Sequence, residues 1–147
     1  MPSTHTSLNF HLVFSTKERL PLIADDWRER LHAYLGGIIK NLNGVPLAVG
    51  GVADHVHLLV SLNTSHRLDY LVRDLKADSS AWVHRELKKK FEWQKGYGAF
   101  TVSPSSIAGV KKYVLNQVAH HQRKSFQDEY IELLKMSGIE YDERYTW

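Results

Sequence analysis

The apolar residues of this chain recur with two different periods that alternate along its length. In Leu8–Phe14 they occupy every second position, as on one face of a β-strand. Between Trp27 and Leu42 the spacing changes to three and four, which is the period of a helix. A chain that switches periods in this way must pack helices against a sheet, so it is restricted to folds that mix the two.

The later segments continue the same alternation of periods. We predict strands at Leu47–Val52, His55–Leu62 and Tyr97–Ser103. We predict helices from Ser65 or His66 to about Trp82 and from Ser103 or Ser105 to Arg123, and a short final helix at Phe126–Met136. The order indicates an α+β fold of the ferredoxin-like, split βαβ type, a largely antiparallel sheet with helices packed on one face. This fold supports many functions, so it does not by itself define the activity.

Composition limits what the chain can be. Its 147 residues, 43% of them hydrophobic, are the usual size of one compact domain, so we expect residues 1–147 to form a single domain. The absence of cysteine excludes disulfides, thiolate metal ligands and cysteine nucleophiles. No segment approaches the roughly 20 apolar residues of a membrane span, and the start lacks a basic segment followed by an apolar run, so we expect a soluble, cytoplasmic protein without membrane contact.

The net charge of +3 is modest, but the basic residues are clustered and aromatic residues lie among them. Cations that meet phosphates and rings that stack on bases are the two components of single-strand binding. The residues concerned are Lys88, Lys89, Lys90, Lys111, Lys112, Arg123 and Lys124, with Trp82, Trp93, Tyr97 and Phe100 between them. The same lysines could equally be solvated faces of helices.

A pair of histidines lies on the second strand of the predicted hairpin. Because side chains alternate along a strand, His55 and His57 leave the sheet on one side while Val56 and Leu58 point to the other. Neutral imidazoles held side by side are ready ligands for a divalent transition metal. Two partly exposed histidines without a metal would give the same pattern.

A second candidate group lies on the predicted helix that ends at Arg123. Tyr113 and Gln117 are four residues apart, so they are neighbours on a helix flank beside an apolar stripe through Val110, Val114 and Val118. A metal held by the carbonyl oxygen of Gln117 would therefore lie close to the Tyr113 hydroxyl. Tyr113 could also be an ordinary boundary residue at the edge of the core.

These motifs resemble those of a known family. His55-Val56-His57 resembles the two histidines around a hydrophobic residue in HUH endonucleases, and Tyr113 with Gln117 resembles their nucleophile helix. The chain as a whole is similar to the single-tyrosine transposases of the smallest bacterial insertion sequences, the insertion-sequence-200-like group. The resemblance covers nearly all 147 residues and includes four segments, Phe14–Lys17, Gly50–His57, Trp93–Phe100 and Tyr113–His121.

The resemblance implies a DNA transposase that cleaves and rejoins single-stranded DNA at hairpin-bearing element ends. Tyr113 would be the nucleophile of a metal-assisted reaction through a 5′-phosphotyrosine, with His55, His57 and Gln117 as metal ligands. Two imidazole ligands favour manganese over magnesium, although either ion is expected to support activity. The resemblance also implies a homodimer whose active sites are shared between subunits, with Tyr113 of one beside the histidines of the other.

Two other functions fit parts of the sequence. A non-catalytic ferredoxin-like module could bind nucleic acid by stacking bases on strand aromatics, in which case the histidines are incidental. A two-histidine phosphoesterase is the other alternative, but that class needs a repeated His motif with hydroxyl residues. Only one His-x-His occurs in this chain, at His55 and His57, which weakens that alternative.

Overall fold

A four-stranded antiparallel sheet forms the centre of the molecule. The computed structural model describes residues 3–121 and 124–141. The strands are β1 (Leu8–Ser15), β2 (Val45–Val52), β3 (His55–Leu62) and β4 (Gly98–Thr101). Their spatial order is β2-β3-β1-β4, and every neighbouring pair is antiparallel. This is the strand order of the predicted split βαβ fold, which is thereby confirmed.

Five α-helices accompany the sheet in the described residues. They are α1 (Arg28–Asn41), α2 (Leu68–Trp82), α3 (Ile107–Leu115), α4 (Gln117–His121) and α5 (Phe126–Met136). Two 3-10 turns, Lys17–Arg19 and Pro104–Ser106, and a π-helical extension of α2, Val83–Leu87, complete the elements. None of the helices within the described residues is long and apolar enough to cross a membrane.

The helices α1 and α2 cover one face of the sheet. The side chains of Leu12, Phe14, Val56 and Leu58 are fully buried there, in one cluster with Leu35 of α1 and other residues of α1 and α2. These strand residues are the even-numbered members of β1 and β3, as the period of two requires. This face is therefore the main apolar core, and it carries the helices expected from the split βαβ pattern.

The opposite face of the sheet is covered by α3 and α5. On this face the fully buried Leu59 packs with Val114 of α3, and the fully buried Val13 packs with Phe126 and Leu134 of α5. The sequence prediction placed the helices on one face only, which holds for α1 and α2. Because β1 and β3 carry apolar side chains on both faces, the helices that follow β4 are needed to shield the second one.

Two local features fix where the late helices lie. A side chain at Gly50 of β2 would place its Cβ 1.9 Å from the backbone oxygen of Val114, so only glycine allows α3 to approach the strand so closely. The helix α5 begins at Ser125, whose hydroxyl accepts a hydrogen bond of 3.2 Å from the backbone nitrogen of Asp128. Together they set the ends of α3 and α5 beside His55 and His57 of β3.

The predicted helix from Ser103 or Ser105 to Arg123 is interrupted in the structure. The residue Asn116 separates α3 from α4 with φ −106 and ψ 29, and Arg123 lies outside the described residues. The predicted strand Tyr97–Ser103 is shorter, Gly98–Thr101, whereas α5 has the predicted bounds. The break matters for the site because Gln117 is the first residue after it.

Candidate active site

The two histidines of β3 are fully buried on the face that α3 and α5 cover. His55 and His57 are both 0% exposed, and their ring centroids are 5.0 Å apart. The prediction that both leave the sheet on one side is confirmed. They are not the partly exposed pair that a bare two-histidine pattern also allows, so their nitrogens must find partners inside the protein.

His55 has a defined partner on each ring nitrogen. Its Nδ1 lies 2.7 Å from Asp54 Oδ1, and its Nε2 lies 3.3 Å from Gln117 Oε1. Burial opposes the charge of Asp54, but the hydrogen bond with His55 outweighs it and lowers the pKa of that carboxyl below its usual range. Since a carboxylate only accepts, Nδ1 carries a proton, and in the form of the ring that can bind a metal the lone pair is on Nε2. The lone pair of Nε2 therefore faces Gln117.

Gln117 is held so that its oxygen points at the histidines. Its side chain is 1% exposed, and its Nε2 donates a hydrogen bond of 3.0 Å to the backbone oxygen of Tyr113. With the amide nitrogen engaged there, Oε1 is the atom that faces His55 Nε2. Two lone pairs that face each other cannot form a hydrogen bond, whereas both can bind one cation.

A buried carboxylate that the sequence analysis did not single out lies at the centre of the site. Glu129 of α5 is 2% exposed, and its Oε1 is 2.8 Å from His57 Nε2. Its Oε2 is 2.7 Å from His120 Nε2 and 3.1 Å from His121 Nε2. Burial opposes the charge of Glu129, but the neighbouring His121 and His57 outweigh it and hold its pKa far below the usual range.

The donor atoms of this cluster converge in a way that suits a metal ion. One ligand atom from each of His55, His57, His121 and Glu129 lies within 4.8 Å of the others. Although several of these atoms are close, both Glu129 oxygens and the Nε2 atoms of His57 and His121 lack an aligned hydrogen bond within the described structure. Buried polar atoms are rarely left in this state, and a shared cation would satisfy them.

The charge state of the second histidine also fits a ligand role. Burial lowers the pKa of His57 to about 4, an effect that the contact with Glu129 only partly offsets. The ring is therefore neutral near pH 7, and neutral imidazole is the form that binds a metal. Imidazole and carboxylate donors together suit manganese and other transition ions, and oxygen donors also suit magnesium.

Tyr113 lies directly beside the cluster in the same chain. Its ring centroid is 5.5 Å from that of His57 and 5.2 Å from that of His120. It is half-buried and lines a cavity of about 300 Å³ that opens between α3 and α5. Burial, together with the negative charge of Glu129, raises the pKa of the Tyr113 hydroxyl, so the phenol is protonated near pH 7.

The structure thus brings together all four residues that the sequence analysis selected, His55, His57, Tyr113 and Gln117. It adds Glu129, which the sequence could have indicated through its position on α5. In α5, Phe126, Tyr130 and Leu134 form the buried stripe, and Glu129 lies within that stripe as its one acidic residue. An acidic residue on the buried face of an amphipathic helix indicates a partner charge or a metal.

Known proteins resemble this chain in sequence and in fold. A curated relative, the ISDra2 transposase TnpA of Deinococcus radiodurans, is 26% identical over 117 residues, which cover 75% of this chain and 84% of the relative. The crystal structure of a candidate transposase from Deinococcus radiodurans R1 has a TM-score of 0.64 at 26% identity and covers 80% of this chain and 95% of its own. The REP-associated tyrosine transposase bound to a REP hairpin has a TM-score of 0.59 at 13% identity, covering 100% and 91%.

Both of these solved structures bear the name transposase. Residues 4–117 match the family model of IS200-like transposases. The chain belongs to this family.

Proposed function

We propose that this chain is a metal-dependent transposase that cuts and rejoins single-stranded DNA through a covalent link to Tyr113. The observation that carries the proposal is the position of the Tyr113 ring, whose centroid lies 5.5 Å from that of His57, beside a buried cluster of metal-binding atoms several of which lack an aligned hydrogen bond. Nucleophile and metal donors at such a distance are the requirement for metal-assisted attack on a phosphodiester.

We assign the metal site to His55, His57, Gln117 and Glu129, and we assign His121, the other member of the converging cluster, to an ion pair with Glu129 Oε2 at 3.1 Å. When bound there, a divalent ion would supply positive charge to a phosphate oxygen, which reduces the repulsion of the nucleophile. The four side chains offer two imidazoles, an amide oxygen and a carboxylate, all buried. Manganese and magnesium are both compatible with this set, and the two imidazoles favour manganese.

The reaction forms one bond and breaks another at the same phosphorus atom. The Tyr113 phenol loses its proton, its oxygen bonds to phosphorus, and the bond from phosphorus to the 3′-oxygen breaks. The 3′-oxygen takes up a proton and leaves as a hydroxyl, so the protein keeps a 5′-phosphotyrosine. In the joining step a DNA 3′-hydroxyl attacks this phosphotyrosine and releases Tyr113, and no ATP is required because the phosphoester bond is conserved.

The phenol needs a proton acceptor because its pKa is raised. The group beside it that can accept a proton is His120, whose ring centroid is 5.2 Å away. Since Oε2 of Glu129 lies 2.7 Å from His120 Nε2, the two act as a pair, with Glu129 stabilising a protonated His120.

We propose that the substrate is single-stranded DNA that carries hairpins. Support comes from the family and from the relative that was solved with a REP hairpin. On the surface, α2 and the following loop border a groove lined by Arg73, Lys76 and Lys95 beside Trp93. Clustered cations of this kind suit a phosphate backbone.

We further propose that residues 1–147 act as one domain, in the cytoplasm where DNA is available, and as a homodimer. Within the described chain β2 is an edge strand with one neighbour, β3. Nearby apolar side chains are exposed, Val45 by 54%, Leu115 by 60% and Val118 by 50%. An open strand edge beside exposed apolar residues favours pairing with a second copy.

The proposal is tested by trapping the covalent intermediate. A labelled single-stranded hairpin taken from the flanks of the gene is incubated with the protein and manganese or magnesium, and the products are separated under denaturing conditions. We expect a protein–DNA adduct that is absent with Tyr113→Phe or His55→Ala and present with Tyr70→Phe, a change at an exposed tyrosine of α2. An adduct that persists in Tyr113→Phe defeats the assignment of the nucleophile. Binding without any adduct would support the non-catalytic module instead.

A further inference from the structure

One buried histidine next to the site has no role in the reaction described so far. His11 of β1 is 4% exposed and lies on the same face of the sheet as His57. The register pairs Val13 with His57 and His11 with Leu59, so His11 is the diagonal neighbour of His57 across the two strands. Diagonal neighbours on one face of a sheet are within reach of each other when their side chains are long or aromatic.

The two rings are joined by a hydrogen bond. Nε2 of His11 lies 2.8 Å from Nδ1 of His57, and the rings stack with centroids 5.0 Å apart and an interplanar angle of 23°. Of two facing nitrogens in such a bond, one carries the proton and the other accepts it. The placement of this single proton decides which nitrogen of His57 is left with a free lone pair.

The two possible placements have opposite consequences for the site. With the proton on Nδ1 of His57, its Nε2 is free, and this is the atom 2.8 Å from Glu129 at the centre of the cluster. With the proton on Nε2 of His11, the neutral His57 carries its own proton on Nε2 and cannot bind a metal there.

We propose that His11 is a positioning residue for the metal site, because its Nε2 accepts the Nδ1 proton of His57 and so leaves the His57 Nε2 lone pair facing Glu129. This inference rests on the proposed function, since it concerns the metal site named there. Asp54 has the corresponding role for His55, because its Oδ1 lies 2.7 Å from Nδ1 of that ring and accepts its proton. Each metal-binding histidine thus has its own outer partner, a neutral ring for one and a carboxylate for the other.

The geometry of His11 extends beyond this one bond. Its ring also meets the Tyr113 ring edge-on, with centroids 6.0 Å apart, and it lines the cavity that Tyr113 lines. The same side chain therefore orients a metal ligand and packs against the nucleophile. A test must separate these two effects, and metal binding can be measured without DNA or turnover.

The experiment compares His11→Leu with His11→Gln. Glutamine places an amide oxygen near the position of Nε2 and still accepts the His57 proton, whereas leucine fills the space without accepting. Manganese chloride is titrated into each metal-free protein in a calorimeter. We expect His11→Leu to bind about 10- to 100-fold more weakly, the usual loss for an outer partner of a ligand, and His11→Gln to stay within a few-fold of the parent. His32→Leu, which removes a histidine of α1, should bind like the parent.

A second measurement reports the proton directly. Nitrogen-15 spectra of the histidine rings in the zinc-loaded parent should show His57 protonated at Nδ1, since zinc is a diamagnetic probe that accepts imidazole ligands. Three outcomes would each overturn the inference alone. They are a His57 ring protonated at Nε2, equal manganese binding by His11→Leu and the parent, and equal losses of manganese affinity in His11→Gln and His11→Leu. A parent that binds neither manganese nor magnesium would overturn the proposed metal site and this inference with it.

Discussion

At the scale of single residues, the site depends on a carboxylate surrounded by imidazoles. Glu129 contacts His57, His120 and His121 within 3.1 Å. A buried charge of this kind is stable only while its partners stay in place, and removing one side leaves the other without compensation. The burial of Glu129 is therefore tied to the histidines, and its helix is tied to the sheet through them.

We predict that Glu129→Gln weakens manganese binding by at least about tenfold, because the substitution keeps the shape of the side chain and removes one anionic ligand. The same change should lower the pKa of the Tyr113 phenol, since the negative charge of Glu129 contributes to raising it, although the part due to burial remains. Calorimetry gives the first quantity and NMR of ring-labelled tyrosine gives the second. Glu132→Gln, at an exposed acidic residue of the same helix, is the control for manganese binding, and unchanged manganese binding in Glu129→Gln would contradict the assignment.

A second prediction concerns the stability of the metal-free protein in acid. Burial lowers the pKa of His57 to about 4, so between pH 6.5 and 4 the unfolded chain holds a proton there that the folded chain does not. Stability must therefore fall as the pH falls through this window, by up to roughly 3 kcal/mol for this residue. His11, whose pKa burial lowers to about 3, adds a loss of the same sign.

Two other groups of the site do not cancel this effect. The pKa of His121 is raised, because contact with Glu129 outweighs burial, so its contribution is complete below pH 6.5 and is lost only above it. The pKa of Glu129 is lowered, so its contribution is lost as the pH falls below the ordinary carboxyl range. Urea unfolding in a chelator at pH 7 and pH 4.5 measures the difference, and equal unfolding free energies would refute the prediction.

At the scale of elements, the period of the apolar residues was enough to predict most of the fold. Strands β1 and β3 and helix α5 follow from local patterns, because each has apolar residues at a regular spacing along its length. The break at Asn116 was not predictable, since the apolar stripe of α3 continues through Val118 in the sequence. In the structure Val114 is fully buried and Val118 is 50% exposed, because after the break Gln117, at 1% exposure, lies against the sheet in place of Val118.

The site residues that could be predicted from the sequence are those that local geometry brings together. His55 and His57 were predictable because strand geometry fixes neighbours two residues apart. Glu129 and His11 come from other elements, and their contacts depend on how α5 and β1 lie relative to β3. No periodicity in one segment contains that information.

The contact between α3 and β2 leads to a prediction for Gly50. A methyl group at this position would lie 1.9 Å from the backbone oxygen of Val114, so α3 must move away from the sheet. We expect Gly50→Ala to cost about 1–3 kcal/mol in stability and to weaken manganese binding, because Gln117 is carried by the same segment. Urea unfolding and calorimetry measure the two effects.

The control is a glycine with free space around it. A Cβ at Gly37 of α1 would meet nothing within 4 Å, so Gly37→Ala should leave metal binding unchanged and stabilise the protein by about 0.5–1 kcal/mol. If Gly50→Ala behaved like Gly37→Ala, the close approach of α3 would not be what holds Gln117 in place.

At the scale of the whole molecule, the two faces of the sheet differ in composition and in role. The face under α1 and α2 is an apolar cluster, while the face under α3 and α5 carries the polar site between smaller apolar clusters. The first face stabilises the fold without taking part in the chemistry. The second has a cavity beside Tyr113, through which a DNA strand would reach the proposed nucleophile.

This arrangement differs from what the family resemblance implied about subunits. The resemblance implied that Tyr113 of one subunit acts beside the histidines of the other. In this chain Tyr113 lies beside its own His57, with ring centroids 5.5 Å apart, so one subunit holds a complete set of the proposed residues. The two arrangements make opposite predictions for mixtures of inactive variants.

We predict that mixing Tyr113→Phe with His57→Ala does not restore the covalent adduct. If the site lies within one chain, every subunit of a mixed dimer lacks either its nucleophile or a metal ligand. If the site is shared, each mixed dimer contains one intact site out of two. Such a dimer would then have up to about half of the activity of a parent dimer. The variants are unfolded and refolded together, light scattering checks for a species of twice the 16.9 kDa chain mass, and the adduct is measured on a denaturing gel. Recovered adduct in the mixture, with none in either variant alone, would show that a tyrosine from the second subunit replaces the one seen beside His57.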